Sequence, residues 1–94
     1  LKKFIGIDQI IERVISQIGD LQAAYITGDF AIGKDSPIID LALIGEHLDR
    51  TLIDNLVAKA EEMIHRRIKY LVLSADEMMH FYDKKPVLLI WESK

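Results

Sequence analysis

The run Ile38-Ile-Asp-Leu-Ala-Leu-Ile44 constrains this chain more than any other stretch. Residues that are almost continuously apolar over a strand's length suit the middle of a sheet, covered on both faces. A chain built around such a strand needs neighbouring strands to pair with it and further layers to cover it. Asp40 alone breaks the run. A carboxylate there is costly unless its charge is met, and either loop amides or a bound ligand could meet it.

The flanking segments supply the other layers. "IDQIIERVISQIGD" places Ile10, Ile11, Val14, Ile15 and Ile18 on one helical face, with Asp8 as the expected cap and Gly19 as the expected stop. "LQAAYITG" reads as a strand stopped by Gly28. From about Arg50 to Arg66, Leu52, Ile53, Leu56, Val57, Ala60, Met63 and Ile64 repeat at the helix period, and Asp54, Lys59, Glu61 and Glu62 turn away. "IKYLVLS" is a third strand. Ser74 and Glu77 have capping-box spacing and open a short helix, "DKK" and Pro86 break it, and "VLLIWE" is the last strand. The order is α-β-β-α-β-α-β. It predicts an α/β (α+β) fold with one mixed sheet packed by helices, in a single domain over residues 1–94.

Composition narrows the function classes. Half of the 94 residues are apolar, enough for one core. The formal charge of -3 argues against broad contact with nucleic-acid phosphates by this segment alone. Without cysteine there is no disulfide frame, thiolate metal site or thiol nucleophile, and a reducing cytoplasm fits. No apolar run approaches the roughly 18–20 residues of a membrane span. Leu1 is not a start methionine, so the chain is expected to be the C-terminal part of something larger.

The loop "GDFAIGKDS", from Gly28 to Ser36, matches Gly-x-x-x-x-Gly-Lys of a P-loop but not its last position, which is Asp35. A P-loop needs a helix starting at its Gly-Lys, whose amino end holds the phosphates. Pro37 and the apolar strand follow Lys34 too closely for one. The P-loop reading is therefore set aside.

A different arrangement fits better. Gly28, Phe30, Ala31 and Gly33, followed by "SPIIDLALIG", resemble the nucleotidyltransferase superfamily pattern Gly-Ser-Phe-Ala-Arg-Gly followed by Ser-Asp-Ile-Asp-Leu. More narrowly, the chain is similar to degenerate nucleotidyltransferase-like domains attached to winged-helix transcriptional regulators. In active members, as the resemblance implies, acids on neighbouring strands hold two magnesium ions that clamp the entering and leaving oxygens. Two acids at i and i+2 of a strand share a face. Here the second is Asp40 and the first has become Ile38. The serine has become Asp29 and the arginine Ile32, and no acid lies between Arg66 and Ser74. If Lys69 faced the site, it would repel a divalent ion about 5 Å away by roughly 6–7 kcal/mol at an effective dielectric of about 20.

The resemblance thus implies a non-catalytic regulatory domain of a transcriptional regulator, used for ligand sensing or subunit assembly. No metal or cofactor is expected. A small anion or nucleotide would meet Gly28, Asp29, Lys34 and Asp40. DNA would be reached only through a winged-helix domain outside these residues, and a homodimer is compatible. Two alternatives stand beside this reading: an active minimal nucleotidyltransferase, and an antitoxin-like protein-binding module.

The remaining features have ordinary readings. Basic "HRRIK", from His65 to Lys69, suits the carboxyl end of a helix. Glu77 and His80 have a di-iron spacing, but one copy lacks partner glutamates. Tyr25, Tyr70 and Trp91 fall on predicted strands as core or interface residues. Lys84, Lys85 and Pro86 read as guards of an edge strand.

Overall fold

Two strands flank the apolar run, as its burial demands, and a fourth extends the sheet. The computed structural model describes residues 6–93. Along the chain these are α1 (Ile7–Ile15), β1 (Ala23–Thr27), a 3-10 turn (Gly28–Ile32), β2 (Ile38–Ile44), α2 (Arg50–Ile64), β3 (Arg67–Leu73), α3 (Ala75–Phe81) and β4 (Val87–Glu92). The sheet order is β3-β2-β1-β4, which puts the apolar β2 inside. β1 runs antiparallel to both β2 and β4, and β2 runs parallel to β3. A parallel pair needs a long crossover, and α2 supplies it.

Alternation along the strands divides the interior into two faces. On one face Ala24, Ile26, Ile39, Leu41, Leu43 and Ile68 pack against α1 and α2, which contribute Ile11, Val14, Ile15, Ile53, Leu56, Val57, Ala60 and Ile64. Each fully buried side chain of this size stabilises the fold by about 1.5–3 kcal/mol before ordering costs. On the other face only α3 packs, through Met78 against Ala23, Ala42, Ile44 and Leu73. This second face is covered over part of its length. The uncovered part forms the site.

The helix ends follow local chemistry, with two corrections. Asp49 begins α2 by accepting from the Thr51 and Leu52 amides at 3.0 and 3.2 Å, and His65 ends it in the left-handed region at φ 56°. Ser74 and Glu77 form the expected capping box of α3, with Glu77 N donating to Ser74 Oγ and Ser74 N to Glu77 Oε1. At α1 the cap is Gly6 rather than Asp8, which lies in the first turn beside the positive helix end. The helix stops at Ile15 rather than near Gly19, because the chain tightens into a turn in which Ser16 Oγ donates to Arg13 O. Ile18 is buried all the same.

Glu61 also departs from its expected exposure. Its carboxylate is half-buried and accepts from the Ile68 amide at 2.8 Å, tying the last turns of α2 to the start of β3. No helix among the described residues is long and apolar enough to cross a membrane.

Candidate functional site

Asp40 lies in the third position of β2, paired in register with Thr27 on β1 and with Lys69 on β3. Register partners share a face, so all three side chains stand on the second face of the sheet. That face opens into a cleft of about 870 Å³ lined by Gly28, Asp29, Asp40 and Lys69, with Tyr82 and Lys85 closing it from the segment between α3 and β4. Its size lies within the range of small-molecule sites. Ile32 and Leu71 supply apolar wall and are about half exposed, at 50% and 55%.

The turn that forms the mouth is fixed by two glycines. Gly28 has φ 72° and Gly33 φ 85°, both in the left-handed region that favours glycine. At Gly28 there is a further reason for a missing side chain: a Cβ there would stand 2.9 Å from Asp40 Oδ2. Between the glycines the backbone winds into the 3-10 turn and closes on itself, with Gly33 N donating to Phe30 O and Lys34 N to Asp29 O. No helix begins at Gly33 and Lys34, in keeping with the dismissal of a P-loop.

Of the four residues expected to meet a ligand, the structure brings together Gly28, Asp29 and Asp40. Lys34 is the exception. The left-handed Gly33 turns the chain away from the cleft, and Lys34 lines a separate recess with Ile7, Phe30 and Asp35. Asp40 needs correction too: among the described residues no loop amide donates to its carboxylate. The amides of Gly33 and Lys34 are consumed by the turn itself, and Ser36 Oγ instead accepts from Ile38 N at 3.2 Å. Asp40 is half-buried and meets water through the open cleft.

Asp35 lies outside the cleft. It pairs with Arg66 at 2.9 Å, and Arg66 also donates to Ile64 O at the end of α2, the ordinary helix-end use of that basic run. Tyr70 and Trp91 pack against the helix side and Tyr25 against the α3 side, so all three serve the core. The Tyr70 hydroxyl donates to Asp54 Oδ1 on α2. That bond, with some burial and the nearby Asp54 charge, raises the Tyr70 pKa above its ordinary value.

The cleft does not fit a pair of divalent ions. Ile38 stands two residues before Asp40 on the same face, and the residue beside Asp40 on β3 is a cation, Lys69. Among the described residues no three His, Asp or Glu side chains gather as a metal cluster. Lys85 and Tyr82 were missed as cleft residues. Lys85 was legible only as an edge guard, and nothing in its spacing ties it to Asp40.

Solved structures match this geometry across most of the chain. A toxin–antitoxin structure with AMP-PNP superimposes with TM-score 0.70 at 16% identity, over 93% of this chain and 74% of the other. A chain of the Shewanella oneidensis complex of a tri-AMPylated HEPN toxin with MNT antitoxin matches with TM-score 0.60 at 18% identity, over 92% and 73%. A candidate nucleotidyltransferase from Sulfolobus solfataricus matches with TM-score 0.52 at 23% identity, over 90% and 76%. This chain has the nucleotidyltransferase fold. No protein-family model matches it, and no curated protein does.

These neighbours correct the expected setting. They are toxin–antitoxin proteins and a candidate nucleotidyltransferase, not winged-helix transcriptional regulators, and they lend no support to DNA as a partner or to a homodimer. The physical reason is that the motif residues shape a turn and a strand. They report the fold and carry no information about the domains or partners attached to it.

Proposed function

We propose that this chain is an antitoxin-like protein-binding module built on a nucleotidyltransferase fold, and that it does not transfer nucleotides. The observation that carries the reading is the incompletely covered second face of the sheet. Around the helix that covers it, α3 leaves Met79 and Phe81 exposed at 75% and 54%, and β4 leaves Leu89 at 46%, with Met79 lining a second recess beside Tyr25 and Met78. Large apolar side chains left in solvent on a small domain suit a contact surface. Support for the kind of partner comes from the neighbours, which include a complex of a HEPN toxin with an MNT antitoxin. Support for the lack of transfer comes from Ile38 and Lys69, an apolar side chain and a cation at the two strand positions beside Asp40, which leave too little negative charge there to hold two metal ions.

The test is co-expression with the protein encoded beside it. A stoichiometric complex that relieves the growth defect caused by that protein alone is expected, and Met79→Glu with Phe81→Glu should dissolve it without lowering the melting temperature. Labelled ATP with magnesium should leave the partner unlabelled. Recovery of both proteins as separate species, with no growth rescue, would overturn the binding reading. Label on the partner would overturn the non-catalytic one.

A further inference from the structure

Strand β3 lies at one edge of the sheet, so half of its backbone groups face no neighbouring strand. Which half follows from the bonds at its two ends. Arg67 N donates to Pro37 O and Leu73 O accepts from Gly45 N, so the odd-numbered residues turn their amides and carbonyls toward β2. The even-numbered residues therefore point theirs outward. Two side chains take up the outermost of these donors: Glu61 accepts from Ile68 N at 2.8 Å, and Glu77 accepts from Ser74 N at 3.0 Å. Between them, the amides of Tyr70 and Val72 meet no acceptor among the described residues. Two glutamates thus bound a short window of bare edge, which an added strand of about five residues would fill.

The side chains around the window define what such a strand must carry. On the helix side Tyr70 and Val72 are half-buried and pack against the core. On the cleft side Lys69 and Leu71 are exposed, with Arg67 at the end of the row. Asp40 stands beside Lys69 on β2, but the register partner of Arg67 is Ile38, and Arg67 forms no ion pair among the described residues. A carboxylate on an added strand beside Lys69 comes within diagonal reach of this uncompensated cation. We infer that the β3 edge takes up a short extended segment of a partner protein, apolar where it meets Tyr70, Leu71 and Val72 and acidic where it meets Lys69 and Arg67. Backbone donors and acceptors hold such a segment, and alternate side chains select it. A second copy of the chain is a poor occupant, because it would bring its own Arg67 and Lys69 onto the same face beside the first pair. The inference goes beyond the surface of α3 and β4, since β3 and β4 are opposite edges of the sheet.

Amide hydrogen exchange of the 94-residue chain, read by NMR, tests this with the end-capped peptide Glu-Val-Leu-Val-Glu. That peptide reads the same in both directions and so suits a parallel or an antiparallel approach; Lys-Val-Leu-Val-Lys is the comparison. In the free chain Tyr70 and Val72 should exchange fast, and Lys69 and Leu71, whose amides face β2, slowly. The acidic peptide at about ten times its dissociation constant should slow Tyr70 and Val72 about tenfold. The lysine peptide should bind at least several-fold more weakly. Arg67→Glu with Lys69→Glu, both at exposed positions, should reverse that preference. Unprotected Tyr70 and Val72 amides at millimolar acidic peptide overturn the inference, as does equal binding of the two peptides. Protection that grows with the concentration of the chain alone also overturns it, because the occupant is then a second copy. No partner protein enters the experiment, so its failure leaves the reading of the α3 surface standing.

Discussion

The carboxylate of Asp40 occupies the space that a side chain on Gly28 would need, with Oδ2 2.9 Å from the position of the missing Cβ. The turn can lie this close to the strand at the mouth of the cleft only because residue 28 has no side chain. Gly28→Ala should destabilise the fold by about 1–3 kcal/mol, through the left-handed backbone and the contact combined. Adding Asp40→Ala removes the contact but not the backbone strain. The double variant should regain part of the loss, a coupling that denaturant titration of all four species would read. Strict additivity would show that the two residues do not touch.

The Tyr70 hydroxyl donates to Asp54 and titrates above its ordinary value, chiefly because of that bond. The folded state therefore holds this proton after the unfolded chain has lost it. The contribution is fully present below the unfolded tyrosine pKa of about 10 and declines as pH rises through the folded value. Urea titrations from neutral to alkaline pH should show stability falling above about pH 10. Tyr70→Phe should flatten that fall. Parallel curves for the two proteins would refute the assignment.

Magnesium offers a third check, since Ile38 and Lys69 are two positions on the cleft face at which a carboxylate would join Asp40. Millimolar MgCl2 should leave the melting temperature of the natural chain unchanged. The double variant Ile38→Asp with Lys69→Asp places three carboxylates on adjacent strands and should melt a few degrees higher with magnesium than without it. No difference would mean that the strands hold these positions too far apart to share an ion.

What the sequence disclosed and what it hid divide along the range of the interactions involved. β2 was legible to the residue because its burial is written as a continuous apolar run, and α3 because Ser74 and Glu77 satisfy each other within one turn. That Gly28 and Asp40 adjoin could be read from a local motif. The direction of Lys34 could not, since it depends on the left-handed geometry of Gly33 rather than on spacing. Lys69 was a conditional suspicion that strand register resolved. Lys85 and Tyr82 reach the cleft from a turn more than forty residues beyond Asp40, and only the assembled sheet brings them there. Glu61 misled for the same reason: helical phase put it outside, and the second amide of a returning strand drew it in.

The strand order carries a consequence for biosynthesis. β1, made before the other three strands, keeps one of its two long edges bare until Val87–Glu92 have been translated and swing back to it. Throughout that interval a nascent chain offers β1's unpaired backbone to any passing polypeptide. A ribosome stalled before Pro86 would leave a sticky intermediate, and chaperones that shield extended segments should crowd onto that species and leave the finished protein alone.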